Sequence, residues 1–198
     1  FKTTVLINSS YAMELGFIDQ AEYGVEAAVW IGGPGIAGAT AVGEALTGKI
    51  NPSGRLVDTY AYDLTTQSTH YTSDYNYYYS AEDAAKIYGG FSNYSEGIYI
   101  GYRWYETADA EGYWNNISNE YGNGYDGVVQ YPFGYGMSYT TFAQKITSAE
   151  EKDGVVNFEV EVTNTGDTYA GKDVIQLYCE TPYTPAVSYT HLTLPTIA

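Results

Sequence analysis

Ala27-Ala28-Val29-Trp30-Ile31-Gly32-Gly33-Pro34-Gly35 is an apolar run broken by a turn of glycine and proline. Five successive apolar residues without alternation fit a strand buried on both faces, as in a parallel sheet. Upstream, Thr4-Val5-Leu6-Ile7-Asn8 reads as a second strand of the same kind, ended by Ser9-Ser10. Between them, Met13 to Tyr23 reads as a short helix with Met13, Phe17 and Ile18 on its apolar side and Gly24 as its stop. Downstream, about Ile36 to Thr47 reads as a helix whose apolar face is Ala39, Val42, Ala45 and Leu46, with Gly48 as its C-terminal stop. Strand, helix, strand, helix implies parallel pairing through a right-handed crossover. This opening is therefore α/β.

The turn is also a literal G-x-G-x-x-G, Gly33-Pro34-Gly35-Ile36-Ala37-Gly38, with Asp58 about 20 residues further on. A pyrophosphate would rest on the amides at the following helix start. Asp58, however, follows an Asn51-Pro52-Ser53-Gly54 turn, which leaves no room for the second strand of a dinucleotide fold. The preferred reading is that these glycines let backbone segments approach closely. Lys49 to Gly54 is a turn in which Asn-Pro bends the chain and Ser-Gly permits positive φ. Leu56-Val57 then re-enters the core as a third extended piece.

From Ala61 to Pro132 no helical or strand period persists, except a helix-like Ala81-Glu82-Asp83-Ala84-Ala85-Lys86. Eighteen of the 24 tyrosines fall between Tyr60 and Tyr139, among many of the 22 glycines. Their rings are expected either to pack under long ordered loops or to stack on flat amphipathic ligands such as sugars. Periodicity then changes. Val156, Phe158, Val160 and Val162 alternate with Asn157, Glu159 and Glu161, predicting a half-buried strand. Asn164-Thr165-Gly166-Asp167 is a turn, and Val174 to Cys179 alternates again as a further strand. This resembles the opening of an antiparallel sandwich, which takes about seven strands and about 100 residues. The sandwich is expected to be unfinished, with exposed edges and marginal stability.

Composition narrows the function classes. Against 24 Asp plus Glu stand only 8 Lys plus Arg, a formal net charge of −16 in 198 residues. Nucleic acid is excluded as a partner, because phosphate binding needs clustered cations. No run of 18 apolar residues is present to span a membrane. One cysteine, Cys179, and two histidines, His70 and His191, rule out an internal disulfide and argue against a zinc cage. No Asp-x-Asp-x-Asp-Gly calcium loop occurs, so no metal or other cofactor is expected. No G-x-S-x-G elbow accompanies either histidine, and His70 reads as a solvated surface residue. Arg103 reads as half of an ion pair with Glu96 or Glu106, with a ligand clamp as the alternative.

Four segments in order carry a family resemblance. They are Val29 to Gly35, Gly48 to Leu56, Tyr94 to Tyr105 (Tyr-Ser-Glu-Gly-Ile-Tyr-Ile-Gly-Tyr-Arg-Trp-Tyr), and Tyr131 to Phe142 (Tyr-Pro-Phe-Gly-Tyr-Gly-Met-Ser-Tyr-Thr-Thr-Phe). Together they resemble the C-terminal α/β domain of family 3 glycoside hydrolases. Val160 to Val174 is similar to the start of that family's fibronectin type III-like domain. The resemblance implies a partial α/β sandwich with parallel strands and long Tyr/Gly-rich loops over 1–142. A truncated β-sandwich over 143–186 and a tail over 187–198 that departs from the family would follow.

It also implies a retaining β-glucosidase or β-xylosidase, working through two carboxyl groups about 5 Å apart and a covalent glycosyl intermediate. The family's nucleophilic Asp stands on a separate (β/α) barrel in a Ser/Thr-Asp-Trp motif. Its acid/base Glu lies upstream of the matched segments. Ser73-Asp74-Tyr75 matches the nucleophile motif only superficially, since no apolar strand precedes it. The expectation is a fragment of such an enzyme without either catalytic residue, inactive alone, whose partner is the missing barrel. Its carbohydrate substrate is expected to meet Tyr75, Tyr77 and Trp104. The competing class is a non-catalytic carbohydrate-binding module, which accounts for the tyrosines but not for the parallel opening.

Overall fold

A computed structural model describes residues 2–70, 82 and 94–178. The helix expected at Ala81 to Lys86 (apart from Glu82), the Ser73-Asp74-Tyr75 turn, Cys179 and the 187–198 tail lie outside the described residues. Those described fall into two compact units, one drawn from 2–33, 56–133 and 177–178, the other from 34–55 and 134–176.

The first unit opens with the two strands the apolar runs predict, but not with their expected burial on both faces. Among the described residues the sheet has two strands, the second without a buried residue, and Leu6 and Trp30 are 41 and 44% exposed. Strands β1 (Thr3–Ile7) and β2 (Val25–Trp30) pair in parallel, with Ile7 opposite Trp30. The link between them is not the expected helix. It is two 3₁₀ turns, Gly16–Asp19 and Ala21–Tyr23. Gly16 explains the difference: it weakens an α-helix, and here it is buried with the Tyr121 hydroxyl in the place a Cβ would take. The Leu15 carbonyl accepts from the Ile18 amide at 2.9 Å and also from the Gln130 side chain at 3.0 Å, which fixes the tight turn.

Strand β3 (Tyr60–Ala61) pairs antiparallel with β6 (Val129–Tyr131), and β4 (Ser118–Asn119) with β5 (Gly122–Asn123). Leu56 packs at the core edge as expected, whereas Val57 is 71% exposed and belongs to no strand. A helix stands where no period was expected, over Tyr102–Ala110, numbered α2 in chain order. Its buried residues are Tyr105 and Ala108, three apart, so the helix packs an aromatic ring rather than an aliphatic stripe. Gly101 precedes it at φ 54°, a conformation open to glycine. Tyr105, Ala108, Trp114, Val128, Val129 and Ala61 form one core; Ile7, Leu15 and Tyr60 form another.

The second unit holds α1 (Gly38–Leu46), slightly shorter than expected and with no buried residue; of its expected apolar face, Ala39 and Leu46 are exposed. Its other element is a hairpin of β7 (Phe142–Lys152) and β8 (Val155–Asn164). Asp153 and Gly154 turn the hairpin at φ 55° and 76°, the paired positive φ values that match the twist of flanking strands. Strand β8 is placed as its alternation predicts, but its burial is not. Val156, Phe158 and Val162 are 51, 44 and 40% exposed. Among the described residues every sheet is two-stranded, and no second layer covers this face. The strand expected from Val174 is absent in the described residues up to Tyr178. Asp173 there turns instead to Arg55 Nη2 at 2.9 Å and Gln144 Nε2 at 2.7 Å. No helix is long and apolar enough to cross a membrane among the described residues.

The Asn51-Pro52-Ser53 turn organises this unit. Asn51 Oδ1 accepts from Ser138 Oγ (2.9 Å) and the Tyr139 amide (2.8 Å), while Nδ2 donates to the Ala170 carbonyl (2.9 Å). Ser53 Oγ accepts from the Lys172 amide at 3.1 Å. Replacing Asn51→Ala strands three groups and is expected to cost about 1–3 kcal/mol in urea denaturation. Asn51→Asp, which keeps only the acceptor, should fall between.

Hydrogen bonds from Gln144, and then from the Val174 backbone and Arg55, outweigh burial and hold the Asp173 carboxyl below its ordinary 3.8. Its contribution is therefore complete above about pH 4 and is lost as pH falls through the depressed folded value. Asp173→Asn should flatten the acid limb of stability against pH while lowering the neutral plateau.

Candidate functional site

The end of β3, the Gly16–Asp19 turn, the β4–β5 hairpin and β6 enclose a cleft of about 410 Å³ in the first unit. It is lined by Asp19, Gln20, Tyr62, Glu120, Tyr121, Gln130 and Tyr131. Each side chain is held by local sequence. The β4–β5 loop is Glu120-Tyr121, and Asn119 Oδ1 caps it by accepting from the Tyr121 and Gly122 amides at 3.0 and 3.1 Å. Asn119 Nδ2 anchors that cap to the Gly127 carbonyl at 2.8 Å.

Tyr62 and Tyr121 stack with centroids 3.9 Å apart and planes within 7°. The Tyr62 hydroxyl donates to Asp19 Oδ2 at 2.8 Å, and Gln130 Nε2 donates to the same oxygen at 2.8 Å. Gln20 Nε2 reaches the Tyr121 hydroxyl at 3.3 Å. Burial, and then the bond to Asp19, raises the Tyr62 phenol well above its ordinary 10.0, so it stays a donor.

Among the described residues the cleft offers carboxylates, carboxamides and phenols, and no cation. Asp19 and Glu120 do not make a glycosidase pair. Both are exposed, and a general acid of that kind needs a carboxyl raised by burial. Among the described residues no group of His, Cys, Asp and Glu is arranged to hold a metal.

Of the residues singled out in the sequence, Tyr75, Tyr77 and His191 lie outside the described residues. Trp104 lies on α2, where its indole donates to the Thr66 carbonyl at 2.8 Å and meets Tyr113 and Trp114 edge to face. His70 is exposed. Arg103 forms no ion pair with Glu96 or Glu106, against expectation. The Glu106 carboxylate is taken by the Tyr125 hydroxyl at 2.5 Å, while the Arg103 guanidinium lies 6.0 Å from the Tyr102 ring centroid. In the G-x-G-x-x-G stretch, a Cβ on Gly38 would lie 2.5 Å from Pro34 Cβ, so the last glycine serves close packing at the start of α1. Asp58 is exposed.

Sequence reasoning missed the cleft residues. Their signal was the tyrosine surplus alone, which does not tell Tyr62 and Tyr121 from their neighbours.

The chain resembles known proteins across nearly its whole length. A beta-glucosidase of Ruminococcus albus is 33% identical over 181 residues, covering 91% of this chain and 16% of that protein. Thermostable beta-glucosidase B of Acetivibrio thermocellus is 32% identical over 178 residues, 88% of this chain and 19% of its own. Among solved structures, a beta-glucosidase from Paenibacillus barengoltzii superposes with a TM-score of 0.75 at 28% identity, over 97% of this chain and 18% of that one. The beta-glucosidase of Kluyveromyces marxianus in complex with glucose gives 0.70 at 25%, over 96% and 19%. The chain thus spans less than a fifth of the length of these relatives. The family model for the glycosyl hydrolase family 3 C-terminal domain matches residues 1–102, just over half the chain. With that domain and these relatives in agreement, the chain belongs to glycosyl hydrolase family 3, of which it carries C-terminal domain sequence.

Proposed function

We propose that this chain is part of a retaining β-glycosidase acting on terminal β-linked glucose or xylose, and that it forms part of the wall of the substrate site. The observation that carries this reading is the match to a beta-glucosidase across 91% of the chain. The nucleophilic Asp is assigned to a (β/α) barrel and the acid/base Glu to a segment outside residues 1–198. The enzyme forms a glycosyl–carboxylate bond as the acid protonates the leaving oxygen, and water then breaks that bond with the same group acting as base.

Within this chain, residues 1–142 are assigned to the α/β sandwich. Residues 143–186 are assigned to the start of a fibronectin type III-like domain, a reading favoured by the alternating β7–β8 hairpin. Tyr75, Tyr77 and Trp104 are the proposed contacts to sugar rings. For Trp104, the support is an indole already fixed by its bond to Thr66, so that little freedom is lost on binding.

The purified 198-residue chain is expected to give no turnover of an aryl β-glucoside, because no covalent intermediate forms without the carboxyl pair. Release of the aryl group above the buffer rate would overturn this assignment. In the parent enzyme, Trp104→Phe, Tyr75→Ala and Tyr77→Ala should each raise KM about 2- to 10-fold, the value of a lost aromatic stacking contact. An unchanged KM for all three would remove them from the site.

A further inference from the structure

We propose that the cleft between the Gly16–Asp19 turn and the β4–β5 loop is a receptor for a primary alkylammonium group, carried by a free amine or by a lysine side chain. Donors and acceptors in the lining are out of balance. Both protons of Gln130 Nε2 are spent, on the Leu15 carbonyl and on Asp19 Oδ2, and the Tyr62 hydroxyl donates to that same oxygen. Asp19 Oδ1, the Glu120 carboxylate and Gln20 Oε1 receive no hydrogen bond from the described residues. Gln130 Oε1 is buried without a hydrogen-bond partner. An ammonium carries N–H donors and no acceptor, so it meets such a surplus without adding to it. Its charge is matched as well: among the described residues two carboxylates and no cation line the cleft. Hydrogen bonds from an ammonium to ionised carboxylates are charge-assisted, about twice as strong as neutral ones. Tyr62, Tyr121 and Tyr131 add aromatic rings, whose negative faces attract a cation.

Other ligand classes fit less well. Asp19 and Glu120 repel phosphates and carboxylates. A quaternary ammonium brings the charge without N–H groups and leaves the acceptors unmatched. A calcium ion takes about six to eight oxygen ligands, and among the described residues no group of His, Cys, Asp and Glu is arranged to hold a metal. The site is also preformed. Tyr121 is fixed by its stack on Tyr62, by Gln20 and by the Asn119 cap behind its backbone. A Cβ on Gly16 would lie 2.7 Å from the Tyr121 hydroxyl, so glycine is required for the ring to occupy its place. Tyr62 and Gln130 together hold Asp19, so its free oxygen is set before a ligand arrives. Glu120 stands at the exposed tip of the loop and makes no hydrogen bond or ion pair with described residues, which leaves its carboxylate available to a ligand. The volume of about 410 Å³ lies near the small end of the range of about 300–1,000 Å³ usual for small-molecule sites.

Saturation-transfer NMR on the 198-residue chain tests this, with n-butylammonium and Nα-acetyl-lysine N-methylamide as probes. Tetramethylammonium, calcium and inorganic phosphate serve as competitors at constant ionic strength, so that attraction to the overall negative charge is common to every cation. The expected result is transfer to the methylene protons of at least one probe, with a dissociation constant in the millimolar range. Tighter binding of the lysine derivative marks a polypeptide side chain as the natural source, and tighter binding of butylammonium marks a free amine. Asp19→Asn should weaken binding about tenfold or more, and Glu120→Gln about threefold or more. No transfer from the folded chain overturns the inference, as does binding unchanged in both variants, or displacement by an equal concentration of tetramethylammonium, calcium or phosphate. Should Asp19→Asn lose its near-ultraviolet dichroism, Glu120→Gln still decides, because that exposed side chain makes no bond with the described residues. The readout is amine binding rather than turnover. A negative result therefore removes this site and leaves the proposed β-glycosidase activity standing.

Discussion

One carboxamide, that of Asn51, holds the second unit together. A loop residue that accepts from two groups near position 138 and donates to a third near 170 replaces the regular ladder this unit lacks outside its hairpin. Proline after it sets the bend, and serine two positions on makes the fourth tie. The sequence Asn51-Pro52-Ser53-Gly54-Arg55 is therefore a bracing device. Its last residue completes the brace with a half-buried ion pair to Asp173, whose side chain is 11% exposed. Breaking a pair so sheltered leaves a charge with no adequate substitute for water, which is why such pairs matter more to integrity than those on an open surface.

The first unit depends on tyrosine instead. Tyr105 is 1% exposed at the centre of its core, yet its hydroxyl still finds Thr66 at 3.1 Å, and Trp114 donates its indole N–H to the Tyr105 carbonyl at 3.2 Å. Rings with a polar end let one residue type fill volume, satisfy backbone groups and line a wet cleft. Among the described residues the tyrosines differ in what surrounds them. Tyr105 is core, while Tyr62 and Tyr121 shape a cleft. A composition that looks repetitive carries distinct roles, fixed by what each hydroxyl meets.

The parts legible in the sequence are those governed by local pattern. β1 follows from an apolar run ended by serines, β2 and α1 from apolar runs ended by glycine, and the parallel pairing follows from the order of these elements. Strand β8 follows from alternation. Three of the readings that failed did so for identifiable reasons. Met13 to Tyr23 has helical spacing, but Gly16 and a hydroxyl 105 residues later favour a tighter turn. α2 was hidden because its buried residues are a tyrosine and an alanine in a polar stretch. Half-burial of β8 presupposed a second layer that the described residues do not provide. The cleft was illegible for a different reason: Asp19, Tyr62, Tyr121 and Gln130 are brought together only by long-range folding, and no spacing between them marks the assembly. Recognition of the family came from four turn-rich segments taken together, since glycine and proline positions record backbone geometry.

The bare face of the β7–β8 hairpin has a colloidal consequence. Among the described residues, Phe158 and its valine neighbours lie open on strands paired on one edge only, an arrangement that favours pairing between copies. A surplus of sixteen negative charges opposes it by mutual repulsion. That protection acts at a distance set by the ionic atmosphere, about 10 Å at 0.1 M salt, and shrinks as salt is added. The force this chain sets against such pairing is thus one of shared sign, and it weakens as the ionic strength rises.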